Sequence, residues 1–198
     1  MKNNRDEKRK VVLPSREEVA RERDRLRYRQ RFRRALLVTA GILIVVAAVS
    51  VLISTRLLPV LQVAGDSMEP TLEDGEIVIL RTTDDLETGD LVAFYYQSRI
   101  LLKRVIGTAG DRIDIDKSGN VSVNGERIEE PYVTGRSLGE CDIELPYRVP
   151  EGQVFVMGDH RSVSVDSRVR EVGCVSQEQV IGEVVFRIWP LNRAGFLN

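Results

Sequence analysis

Ser67 stands in the stretch VAGDSMEPTLEDG, between an acidic residue and a methionine, with Pro70 and Thr71 just behind it. A serine used as a nucleophile needs a base to take its proton. The chain has a single histidine, His160, far downstream, so a Ser-His-Asp arrangement rests on one candidate. Lysine is the other solution. An ammonium with an ordinary pKa near 10.4 is no base at neutral pH, but burial lowers that value by up to several pH units. Lys117 lies in a polar turn, whereas Lys103 lies inside RILLKRVIG, behind Ile100, Leu101 and Leu102. A lysine held in an apolar strand is desolvated, and lowering its pKa by roughly 2 to 3 pH units costs about 3 to 4 kcal/mol, which a structural lysine has no reason to bear. Strand alternation alone would equally let Lys103 snorkel to solvent. A third stretch, GDHRSVSVDSR from Gly158 to Arg168, follows the apolar run QVFVM; by itself it reads as turn chemistry with an Asp166–Arg168 ion pair. Taken together, the three stretches supply nucleophile, base and orienting hydroxyl for a Ser/Lys dyad.

The elements that must hold these groups are short. From Leu61 onward, apolar-alternating runs such as EIVIL, LVAFYY, ILLKRVIG, DRIDID, NVSVNGERI, QVFVMGD and VIGEVVFRIW are separated by Gly, Asp and Asn. Runs rich in Val, Ile, Phe and Tyr with such punctuation predict a mostly antiparallel β domain. YYQSRILL reads as a hairpin with a short polar turn, and Asn124-Gly125 is the strongest two-residue hairpin signal. DIDKSGN has the opening offsets of a calcium loop at Asp114, Asp116, Ser118 and Gly119, but its twelfth position is Gly125 instead of a bidentate Glu, so a hairpin turn is the better reading and no metal is expected. No CxxC or His/Cys cluster suggests a structural metal either.

The near-zero net charge hides two unlike parts. Residues 1–34 hold 14 of the 29 Lys and Arg but only 6 of the 30 Asp and Glu. Behind them ALLVTAGILIVVAAVSVLIST, Ala35 to Thr55, runs 21 residues without a charge. As a helix it measures about 31 Å, against roughly 30 Å of bilayer hydrocarbon. A cleaved signal would have a shorter apolar run and a shorter leader, so the segment reads as an anchor. RLRYRQRFRR before it carries six arginines in ten residues, while Arg56 is the one basic residue soon after. The positive-inside rule therefore puts the N-terminus in the cytoplasm and the β domain outside. Arginine-rich segments also bind nucleic acid, but next to a span this one reads as a topology signal that touches anionic headgroups. SREE is a capping box in which Ser15 and Glu18 open a helix that can run on into the membrane. Cys141 and Cys174 both fall in the exported part, where a bridge can persist, though their spacing implies neither pairing nor free thiols. The expected division is a basic, partly helical cytoplasmic segment 1–34, a transmembrane helix 35–56 and an extracytoplasmic domain 57–198.

GDSMEPTL, KRVIGTAGD and MGDHRSVSVDSR, in that order behind an N-terminal span, resemble the boxes of bacterial type I signal peptidase in its Gram-positive form, and FRIWPLNRAG resembles that family's closing strand. The resemblance implies two antiparallel sheets of the fold shared with LexA-like peptidases, with a small β-rich insertion at about 109–152. It implies a serine endopeptidase of the bacterial cell membrane that removes signal peptides from secreted preproteins. The lipid bilayer and the export translocon would be its other partners; no nucleic acid, cofactor or metal is implied. By the same resemblance Ser67 is the nucleophile, Lys103 the general base, Ser164 the hydroxyl that helps hold the lysine amine, and Asp166 with Arg168 a supporting pair. Val63, Met68, Leu72 and Leu101 border the site for the last signal-peptide residue, and Leu61, Val78 and Leu102 the site two residues earlier. Where the family usually has Asn, this chain has His160, in a supporting loop. Gly65 offers no side-chain hydroxyl for the oxyanion, which leaves the Ser67 amide, with or without a water. A LexA-like self-cleaving repressor would need a DNA-binding domain and no span. A catalytically dead tethered binding module would not need Ser67, Lys103 and the supporting loop together.

Overall fold

The computed structural model describes residues 16–197. The chain forms two compact units, the first ending at Leu52 and the second beginning at Ile53. One continuous helix, α1 (Arg16–Leu57), makes up the described part of the first and enters the second. Ser15, half of the expected capping box, lies outside the described residues. The apolar side chains of α1 are bare: Ile44 is 70% exposed and Leu37 69%. Water penalises such a surface and lipid does not, and Val19–Leu52 contains a stretch long and apolar enough to cross a membrane.

The second unit is β. Its strands are β1 (Val60–Gln62), β2 (Ile77–Arg81), β3 (Leu91–Tyr96), β4 (Arg99–Gly107), β5 (Arg112–Ile115), β6 (Val121–Val123), β7 (Glu126–Arg127), β8 (Tyr147–Arg148), β9 (Gln153–Met157), β10 (Val175–Ser176), β11 (Val180–Trp189) and β12 (Gly195–Phe196). They form two antiparallel sheets. The larger runs β1-β2-β11-β3-β4-β9-β10, with β12 on β11, and the smaller runs β7-β6-β5-β8.

Strand β3 shows why the larger sheet sits where it does. Leu91, Val92, Ala93 and Phe94 are all buried, because β3 is paired on both edges and covered on both faces. Leu91 and Ala93 join the core around Met68, Leu72, Val78 and Leu80, while Val92 and Phe94 join a second core with Val105 and Val156. A strand buried on both faces reads as a continuous apolar run, as LVAF does. The smaller sheet closes a third core, around Ile113, Val121 and Phe155.

The turns follow their local chemistry. Asn124 and Gly125 both take positive φ, 55° and 89°, as a two-residue turn between β6 and β7 requires. The turn from β5 to β6 is tied by the Asp116 carboxylate, which accepts from the amides of Ser118 (2.8 Å) and Asn120 (2.9 Å) and from the Asn120 side chain (2.6 Å). That carboxylate is spent on the turn itself, and among the described residues no group of His, Cys, Asp and Glu could hold a metal. Cys141 and Cys174 are free thiols, and burial pushes Cys174 up to about 11.

Candidate active site

Ser67 lies in the loop from β1 to β2, which the chain pins at its neck. Val63 donates to the Glu76 carbonyl (2.8 Å), and Gly75 donates to the Val63 carbonyl (2.9 Å). Inside the loop a helical turn runs from Glu69 N–H to Asp66 (3.1 Å) and from Leu72 N–H to Met68 (3.0 Å). Met68 and Leu72 are sunk in the core, so the residue before them is pushed to the rim. Gly65 holds φ +87°, where a side chain would be strained, and its amide donates to Asp74 Oδ1 at 2.8 Å. Its N–H is therefore occupied, while the amide of Ser67 makes no hydrogen bond among the described residues.

Lys103, on β4, is 3% exposed, and its Nζ donates to Ser67 Oγ at 2.7 Å. Burial lowers its pKa to about 8; Asp166 and Asp159 pull it upward and Arg168 pushes it down. Lys117 stays exposed in its turn. Lys103 does not snorkel: its side chain is buried and its amine is turned to Ser67 instead of solvent.

The loop after β9 packs against the serine. Asp166 accepts from Arg168 Nε and Nη2, both at 2.8 Å, and from the Gly158 amide at 2.9 Å. Gly158 has no room for a side chain: a Cβ there would overlap Ser164 Oγ and the Ser67 carbonyl oxygen. Ser164 is buried at this point, yet its Oγ makes no hydrogen bond, so it does not grip the Lys103 amine as its expected role would have it. His160 braces the backbone around Ser67 instead of its hydroxyl. Its amide donates to the Ser67 carbonyl (3.1 Å), and its Nδ1 lies 3.2 Å from the Asp66 carbonyl oxygen.

A cavity of about 150 Å³ opens beside Ser67 and Lys103, lined by Leu61, Val63, Met68, Leu101 and Leu102 together with Gly65 and those two residues. Drug-sized sites run to about 300–1,000 Å³, so this one suits a small side chain. Two residues expected on its walls are elsewhere. Leu72 and Val78 are fully buried in the core and do not line the cavity.

One strong pair has no simple reading in the sequence. Arg104, next to Lys103, donates to both carboxylate oxygens of Asp159 (3.0 and 2.8 Å) and to the Gly89 carbonyl (2.7 Å), while Thr71 Oγ1 donates to the same carboxylate (2.5 Å). An arginine in an apolar strand was the available signal, of the same kind as the one that singled out Lys103.

A family model described as signal peptidase, peptidase S26, matches residues 34–189. Signal peptidase IB of Staphylococcus aureus is 35% identical over 150 residues, covering 66% of this chain and 77% of its own. Signal peptidase I of Bacillus caldolyticus is 37% identical over 150 residues, covering 68% of this chain and 81% of its own. A crystal structure of a signal peptidase I from Enterococcus faecalis superposes with a TM-score of 0.43 at 26% identity, over 50% of this chain and 96% of that one. The family match begins within α1 and ends with β11, so it takes in the serine loop, the buried lysine and every strand but β12: the chain belongs to the signal peptidase family, peptidase S26.

Proposed function

We propose that this protein is a membrane-anchored serine endopeptidase that removes N-terminal signal peptides from exported preproteins, with Ser67 as nucleophile and Lys103 as general base. The 2.7 Å approach of Lys103 Nζ to Ser67 Oγ carries this reading, made by an amine that burial holds near a pKa of about 8. A neutral amine has a lone pair, so the Ser67 O–H can donate to it and give up its proton as the oxygen attacks the scissile carbonyl. The free Ser67 amide is the donor suited to the developing oxyanion. The ammonium then protonates the leaving amine. Returned to the neutral state, the same Nζ activates the water that hydrolyses the Ser67 ester, which frees the signal peptide's new C-terminus.

Substrate choice follows from the small apolar cavity, where Val63, Met68 and Leu101 meet the last signal-peptide residue and Leu61 and Leu102 the one two places earlier. Walls this close admit alanine and exclude larger chains. Asp166 and Arg168 hold the loop that backs the dyad. On the cytoplasmic side, by the positive-inside rule, stand the arginines that precede the apolar part of α1, and the β unit faces outward. Anchorage in the bilayer that holds the substrate's own apolar segment raises the rate of encounter without added contacts. The test is cleavage of a synthetic signal peptide by the purified full-length protein. Ser67→Ala and Lys103→Ala should each be inactive, while His160→Asn retains most of the turnover. A chain that needs His160 and tolerates loss of Lys103 would overturn the dyad.

A further inference from the structure

The segment between β4 and β9 does more than close its own small sheet, because it reaches back to the loop that carries Gly158. Just beyond β7, Glu130 is 2% exposed and Arg161 is fully buried, and the two meet as an ion pair. Arg161 Nη1 donates to Glu130 Oε2 at 3.3 Å and Nη2 donates to Oε1. The third nitrogen of that guanidinium, Nε, donates to the Gly158 carbonyl at 3.0 Å. On the same segment the Tyr132 ring lies 3.9 Å from Arg104 Cζ, and farther along, the Leu138 carbonyl accepts from Arg168 Nη1 at 2.7 Å.

We propose that Glu130 is a positioning residue for the reaction of Ser67, acting through Arg161 on Gly158. The proposal rests on the Ser/Lys reading above. Gly158 is held at both ends: its amide binds Asp166 and its carbonyl binds Arg161. It is also the residue with no clearance against the Ser67 carbonyl and Ser164 Oγ. Its neighbours carry the contact onward, Asp159 to Arg104 and the His160 amide to the Ser67 carbonyl. A shift at Gly158 therefore moves the backbone of the nucleophile relative to Lys103. Chemistry of this kind loses about 10²-fold in rate for a misplacement of about 1 Å. Glu130 fixes the direction of the guanidinium, because a planar fork whose two Nη atoms are bound to a carboxylate leaves Nε a single orientation.

Removing one member of a buried pair leaves the other charge stranded and threatens the fold, whereas replacing both by apolar groups of similar volume is often neutral. That difference separates positioning from mere support. The experiment compares full-length parent, Glu130→Gln and the double variant Glu130→Leu with Arg161→Met, measuring kcat and KM on a synthetic signal peptide together with Tm in the same detergent. The double variant should melt within about 4 °C of the parent. Its kcat should nevertheless fall about 30-fold or more, with KM changed less than about 2-fold, because Gly158 has lost its Nε donor. Glu130→Gln keeps the shape and one acceptor, and its kcat should fall about 5-fold, between parent and double variant. A double variant that folds and turns over like the parent overturns the proposal, as does a change confined to KM. If the double variant does not fold, Glu130→Gln decides alone: parent kcat at parent Tm overturns the proposal, and a lowered kcat upholds it. Parent and Ser67→Ala run alongside; a silent parent or an active Ser67→Ala marks failure of the Ser/Lys reading and not of this one.

Discussion

Arginines serve two unlike purposes in the two units. Every arginine from Arg16 to Arg34 is exposed, and two ion pairs on that helix, Arg21–Glu17 and Arg23–Asp24, are loose, at 4.0 Å each. In the β unit Arg104, Arg161 and Arg168 are at most 3% exposed, and each holds a carboxylate with two nitrogens. An exposed pair contributes about 0–1 kcal/mol, so on the helix what matters is how many positive charges stand on one side of the apolar stretch. A buried guanidinium without its partner is costly, so in the β unit geometry matters and number does not. The same side chain is a signed charge in one region and a rigid bracket in the other.

The comparison breaks most visibly at Lys103, the one cation among the described residues of the β unit that is buried without a carboxylate hydrogen-bonded to it. Lys103→Ala should lower turnover by about 10³-fold or more, measured on a soluble peptide, because no other described group bonds to Ser67 Oγ. Next comes the bracket itself. Asp166→Ala strands Arg168 and frees the Gly158 amide, and should cost about 3–5 kcal/mol in urea unfolding.

The pH profile sharpens what sets Lys103 apart. With a pKa of about 8, Lys103 is protonated and inactive at lower pH, so kcat/KM should fall about tenfold per pH unit below that value and level off above it. For stability the sign follows from the same values. Between about 8 and the ordinary 10.5 the unfolded chain holds a proton that the folded one has lost, so this group's contribution rises with pH across that window. The contribution is complete above 10.5 and is lost as pH falls through about 8. A rate independent of pH between 6 and 9 would mean that the lysine is no base. The smallest effect belongs to the helix: Arg21→Gln should change unfolding free energy by less than about 0.5 kcal/mol and leave cleavage of a soluble peptide unchanged.

Much of this was legible in order along the chain. LVAFYY and VIGEVVFRIW are β3 and β11 to the residue, Asn124-Gly125 is a tight turn, and the uncharged run lies within one long helix. Such features are written in neighbouring residues, since period, turn conformation and hydrocarbon length are all local. Lys103 stood out for the same reason, as a charge in an apolar run. Two-residue strands such as β8, β10 and β12 passed unnoticed, because two residues show no alternation.

What the tertiary structure alone decided is who faces whom. Arg104 and Asp159 are 55 positions apart, and Glu130 and Arg161 are 31 apart; nothing in EEPY distinguishes a buried carboxylate from a turn acid. Leu72 and Val78 belong to the right stretches for a cavity wall and yet lie in the core behind it, because strand register and the depth of the serine loop set which face each presents. Residue types in a chain limit the chemistry available, but a hydrogen bond or a pocket wall depends on positions to within a fraction of an ångström. Those are fixed only when the two sheets and the loops between their strands pack together and bury their charges in matched pairs.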